Sequence, residues 1–93
     1  MYDISSSKKY RRDFKRLAKS GKYNMSLLDE VIDLLAAGNP LPDKYKDHAL
    51  KGKWRGFRDC HIQDDWVLIY KLEHKHLVLV LTRTGTHTQV LDF

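Results

Sequence analysis

Five histidines stand in this 93-residue chain, and three of them keep company suited to proton transfer at phosphate. His48, Asp59, His61, Asp65, Arg83 and His87, with Trp66 alongside, are the types needed to cut RNA through its own 2′-hydroxyl. That reaction needs a base for the attacking hydroxyl, an acid for the leaving oxygen and a cation for the crowded phosphorane. Histidine serves as base or acid near neutral pH, and arginine holds phosphate through a planar fork that stays protonated. The scheme calls for no metal and no cofactor. Trp66 offers an aromatic face on which a base of single-stranded RNA could stack, the alternative being a core or sheet-edge aromatic.

Taken singly, each motif has a plainer reading. In the segment Trp54 to Ile62, the strand period of two puts Phe57, Asp59 and His61 on one face and Arg58, Cys60 and Ile62 on the other. Asp59 is thereby read as orienting His61. The run Arg83-Thr84-Gly85-Thr86-His87 leaves a hydrophobic strand, and Gly85 lets the backbone turn so that Arg83 and His87 face one ligand. A plain turn with a surface arginine and histidine is the alternative. His74 and His76 fall in a charged hairpin and are read as solvated turn residues. The one cysteine, Cys60, cannot form an internal disulfide and is read as a small buried strand residue rather than a nucleophile.

Charge is concentrated in two blocks. Residues 8–22 carry eight basic side chains against Asp13 alone, and residues 44–58 carry six against Asp47 alone. Blocks of this kind suit a polyanion, and Lys8, Arg12 and Lys15 are read as RNA-contacting. A solvated helix face is the alternative for the first block. No run approaches the roughly 18 apolar residues of a membrane span, and the start lacks a basic-then-apolar signal pattern, so a cytoplasmic protein without membrane contact is expected.

The elements that must position these side chains follow from periodicity. The length fits one domain over 1–93. Tyr2 and Ile4 lie on one face of a short strand suited to a sheet edge. From Ser7 the period changes: Tyr10, Phe14, Leu17 and Ala18 make one helical stripe, with a serine at Ser5 to Ser7 as cap and Gly21 as stop. A second helix runs from about Asn24 or Ser26 to Ala37, closed by Gly38, with Leu27, Leu28, Val31, Ile32, Leu34 and Leu35 inside. The short link makes the two helices antiparallel neighbours, and a sheet must cover their apolar faces. Residues 39–51, broken by Asn39-Pro40 and Leu41-Pro42, read as an irregular crossing segment that carries His48. Strands then follow over about 54–62, 66–72 and 77–82 as an antiparallel meander, with a short terminal strand over 88–93. The class is α+β: two N-terminal antiparallel helices on a twisted antiparallel sheet.

The runs Tyr45-Lys46-Asp47-His48-Ala49-Leu50-Lys51-Gly52 and Trp54-Arg55-Gly56-Phe57-Arg58-Asp59-Cys60-His61 resemble the central signature of YafQ-like toxins of the RelE superfamily. Asp65-Trp66-Val67-Leu68-Ile69-Tyr70-Lys71-Leu72 and Arg83 to His87 continue the pattern in the same order. The resemblance implies a RelE-like fold, ribosome-dependent cleavage of translated mRNA, and a cognate antitoxin through which the complex binds operator DNA. Carried over position by position, the family's active-site set falls on His48, Asp59, His61, Asp65, Trp66, Arg83 and His87. The chain departs from the pattern at Leu91, where the family carries an aromatic; Phe93, two residues later, is assigned an RNA contact by a shift.

Two rival classes use the same residues. A non-catalytic basic RNA- or DNA-binding module needs only the charge blocks. A metal-dependent hydrolase would take His48, His61, His87 and Asp59 as ligands, all acceptable to zinc.

Overall fold

A computed structural model describes residues 1–91. Ser7 opens the first helix, α1 (Lys8–Ser20), by accepting the amide of Tyr10, and Gly21 closes it in the left-handed conformation. The second helix, α2 (Met25–Ala36), is capped by the Asn24 side chain and ends through Gly38, whose amide returns to Leu35. Their apolar faces lie in one core cluster with the sheet: Tyr10 and Leu17 of α1, and Leu28, Val31, Ile32 and Leu35 of α2. Ala18, expected in the stripe of α1, is exposed, and Asp13 is buried in its place.

The sheet has five strands: β1 (Asp3–Ser6), β2 (His48–Ala49), β3 (Arg58–Gln63), β4 (Trp66–Glu73) and β5 (Val78–Thr86). Their order is β1-β5-β4-β3-β2. The meander β3, β4 and β5 is antiparallel as expected, and β1 joins β5 in parallel at one edge, so the sheet is mixed. Alternation along β4 splits the core in two. Trp66, Leu68 and Tyr70 face the helices, while Val67 and Ile69 face the other side.

Three elements depart from the sequence expectation, the first because of that second face. The C-terminal segment is a short helix, α3 (His87–Leu91), not a strand, because adjacent Val90 and Leu91 must both cover Val67 and Ile69. Strand β5 runs on through the polar residues 83–86, since the amides and carbonyls of Trp66 to Ile69 need ladder partners. Strand β3 starts only at Arg58, because residues 52–54 form a 3-10 turn bracketed by Gly52 and Gly56, both at positive φ. Among the described residues, no helix is long and apolar enough to cross a membrane.

Candidate active site

Sheet register decides which side chains meet. His48 of β2 stands opposite Asp59 of β3, Asp59 opposite Ile69 of β4, and Ile69 opposite Arg83 of β5. Cross-strand partners project from the same face, so these four form one row, with neighbours roughly 5 Å apart. The next row is His61, Val67 and Gly85, and His87 follows it as the first residue of α3. Both rows start from the face away from α1 and α2, and the Arg83 side chain turns from it to the edge of β5, where α1 lies. The short strand β2 was not expected within the crossing segment, yet it sets His48 against Asp59. Asp47 anchors it, accepting Nη2 of Arg58 at 3.0 Å and the hydroxyl of Tyr70.

Five of the six expected chemical residues converge. The Asp59 carboxylate, 1% exposed, stands between two imidazoles, with Oδ1 at 3.5 Å from His48 Nδ1 and Oδ2 at 3.6 Å from His87 Nε2. Nδ1 of His87 meets Oδ1 of Asp65 at 2.7 Å, so each nitrogen of that ring faces a carboxylate. The rings of His61 and His87 are 5.0 Å apart at 57°. His48 directs Nδ1 toward the Lys46 carbonyl at 2.9 Å. The expected pairing of Asp59 with His61 gives way to this bridge, because register puts His48 opposite Asp59 and α3 brings His87 over it. Among the described residues, the buried Asp59 Oδ1 has no hydrogen-bond partner. An unsatisfied buried carboxylate oxygen is costly, and it persists only where neighbouring structure holds it in place.

Gly85 makes the approach of α3 possible. A Cβ there would lie 2.8 Å from Gln89 Oε1 and 3.2 Å from Val90 Cγ1, at a φ of +150° that favours glycine. The amide of Thr86 donates to Gln89 Oε1 at 3.0 Å, folding the start of α3 back on the strand.

Arg83 is the sixth residue, and the structure ties it to a partner the sequence reading passed over. Its Nε and Nη2 donate to Oδ2 and Oδ1 of Asp13 in α1, at 2.7 and 3.2 Å. Burial would push the Asp13 carboxyl up, but donors from Arg83, Thr84 and Arg16 outweigh it and hold the group below the ordinary carboxylate range. The signal for Asp13 was its position, three residues after Tyr10 and four before Leu17, inside the apolar stripe.

Trp66 is corrected. It is 2% exposed on the helix side, packed edge-on to Tyr23, with its indole nitrogen donating to Thr84 Oγ1 at 2.9 Å. No face of the ring is open to a stacking base, because its place at the start of β4 fixes it to the α1 and α2 side. Phe93 lies outside the described residues. Lys8, Arg12 and Lys15 are exposed on α1. Cys60 is fully buried and burial pushes its thiol up, which fits a packing residue. His74 and His76 are exposed in the turn between β4 and β5, where His74 bonds Tyr2.

Two helices on one face of a mixed sheet, with an acid and histidine cluster on the other, make an α+β fold. The sequence matches the family model "Bacterial toxin of type II toxin-antitoxin system, YafQ" over residues 2–92. It is 46% identical over 86 residues to the mRNA interferase toxin YafQ of Escherichia coli strain K12, spanning 91% of this chain and 90% of that protein. The crystal structure of a metal-bound toxin from Helicobacter pylori is similar at a TM-score of 0.89 and 40% identity, spanning 97% of this chain and 99% of the other. In the Escherichia coli DinJ-YafQ complex the matched chain gives a TM-score of 0.84 at 41% identity, spanning 97% and 98%. The chain belongs to the YafQ toxin family.

Proposed function

We propose that this toxin is an endoribonuclease, as the name of its Escherichia coli relative says of that protein, and that it cuts translated mRNA on the ribosome by metal-independent acid–base chemistry. The observation that carries this reading is His87 held between Asp65 and Asp59, with His48 across the same Asp59 and His61 beside it. In the reaction, His87 and one of His48 and His61 form the acid and base pair, one taking the proton of the attacking 2′-hydroxyl and the other giving a proton to the leaving 5′-oxygen. Asp65 fixes the ring of His87 through Nδ1, and Asp59 holds His48 and His87 on the two sides of the attacked phosphate. Arg83, in the row of Asp59, supplies charge to the phosphorane.

The exposed face of α1 grips ribosomal RNA phosphates through Lys8, Arg12 and Lys15, giving affinity that falls steeply with salt. Reversing these three to glutamate is expected to weaken ribosome binding and leave the rate at saturation unchanged; binding at the parent level discards this role. A cognate antitoxin restrains the toxin, in keeping with the DinJ-YafQ complex of the relative, and carries the pair to operator DNA.

The test is a translation reaction with added toxin and cleavage mapped at nucleotide resolution. Cuts in translated mRNA ending in a cyclic phosphate, lowered about 10² to 10⁴-fold by His87→Ala, are the expected result. Cleavage of free RNA at the same rate refutes the ribosome requirement, and full activity of His87→Ala refutes the assignment.

A metal-dependent reading has its own observation. Ligand atoms of Asp59, His61 and His87 lie within 4.8 Å of one another, and the similar Helicobacter pylori toxin is metal-bound. Those three residues would hold the ion, which would supply Lewis-acid charge or an activated water. Loss of cleavage with chelator, restored by a divalent metal, would select this reading.

A further inference from the structure

We propose that Asp13 is a positioning residue for the reaction: it holds the Arg83 guanidinium in place for the scissile phosphate. This rests on the reading of Arg83 as the phosphate-binding cation.

Asp13 is the only acid among eight bases in residues 8–22, and it is 2% exposed. A carboxylate buried in a basic helix needs donors for its lone pairs, and here each oxygen has two. Oδ2 accepts Arg83 Nε at 2.7 Å and the Thr84 amide at 3.1 Å; Oδ1 accepts Arg83 Nη2 at 3.2 Å and Arg16 Nη1 at 3.0 Å. Strand β1 pairs with β5 only as far as Leu81, so beyond that point α1 covers the strand edge, and Ser7 and Asp13 take up Thr82 and Thr84.

An edge cap requires one bond, to the Thr84 amide. The two-point hold on Nε and Nη2 does more, since it fixes the plane of the guanidinium as well as its distance. A guanidinium keeps its positive charge while its N–H groups are engaged, so a held fork still presents charge to a phosphate. Its rotamer freedom is given up on folding rather than when substrate arrives, the condition for a preorganised electrostatic site. The same helix also reaches α3: Arg16 bonds Gln89, two residues from His87, at 3.5 Å. One buried acid thus links the Arg83 cation to the helix that carries His87.

The experiment compares single-turnover cleavage on programmed ribosomes for the parent, Asp13→Asn, Arg83→Ala and the double variant, with folding checked by circular dichroism. Asp13→Asn is expected to lower the saturating rate about tenfold, within the range for contacting pairs, with half-saturation little changed. It is expected to add nothing in the Arg83→Ala background. An effect that multiplies with that of Arg83→Ala, or a parent-like rate for Asp13→Asn, overturns the proposal. A parent-like rate for Arg83→Ala overturns instead the reading on which it rests. Should Asp13→Asn fail to fold, Asp13→Glu keeps the charge and moves the carboxylate by one methylene. Its rate loss must then vanish when Arg83 is replaced, and a loss that persists refutes the role.

Discussion

Two buried aspartates in this toxin live under opposite conditions. Asp13 accepts four hydrogen bonds, from two arginines and a backbone amide. Asp59, equally buried, has one oxygen without a hydrogen-bond partner among the described residues and faces two imidazoles at 3.5 and 3.6 Å. The first is what packing and polar satisfaction select for stability. The second costs stability and keeps a proton acceptor beside groups that can move protons. On the proposed function, the difference separates a carboxylate that holds the fold together from one that takes part in the reaction.

Neutralising each aspartate is therefore expected to act in opposite directions, and this is the largest effect on offer. Asp59→Asn should lower cleavage sharply while the melting temperature stays level or rises, because a poorly satisfied buried charge is removed. Asp13→Asn should cost about 3 kcal/mol, the price of breaking one side of a buried ion pair, seen as a shift of the denaturation midpoint. Equal losses of stability in the two variants would erase the distinction.

The pH dependence of stability sharpens the same contrast. Asp13 is held below its ordinary value in the fold, so the unfolded chain binds its proton more readily. Its contribution is complete above the ordinary carboxyl value of about 4 and is lost as pH falls through the lower folded value. Denaturation midpoints measured from pH 6 down to pH 2 should fall more steeply for the parent than for Asp13→Asn. Parallel profiles would show that Asp13 is not the acid-sensitive link.

Helix stripes, caps and the three meander strands were legible in the sequence because they rest on local periodicity and local hydrogen bonds. What was not legible is long-range. Strand β2 is two residues long, too short for any period, and only its pairing with β3 reveals it. The parallel seating of β1 beside β5 is likewise a tertiary outcome. In the site, the residue types pointed to the chemistry proposed, and His48, Asp59, His61, Asp65 and His87 do converge. Which histidine each acid serves depended on register and on α3, so the expected Asp59–His61 pairing missed. Asp13 was counted as one acid in a basic block, although its place in the apolar stripe marked it as buried. Trp66 drew a functional reading because aromatics near basic residues suit RNA, but strand alternation with Leu68 and Tyr70 already placed it on the helix side.

A smaller effect tests whether α3 is a precise support or merely a cover. Gly85→Ala introduces a methyl 2.8 Å from Gln89 Oε1 and 3.2 Å from Val90 Cγ1, at a backbone angle alanine rarely adopts. The expected cost is about 1 to 3 kcal/mol in stability. Because His87 opens α3, cleavage should drop in well-folded protein at low temperature as well. Retained activity with lowered stability would make α3 a cover for Val67 and Ile69 alone.

The smallest effect concerns Trp66. Trp66→Phe keeps an aromatic ring in the core and removes one buried hydrogen bond to Thr84, whose hydroxyl still donates to the Val67 carbonyl at 2.9 Å. A loss of roughly 1 kcal/mol is expected, from that bond and the slightly smaller ring, with the single-turnover rate at the parent value. A side chain that stacked on RNA would give the opposite signature, weakened half-saturation with little change in melting. That pattern would return Trp66 to the substrate and require the ring to leave the pocket that Tyr23 and Thr84 form around it.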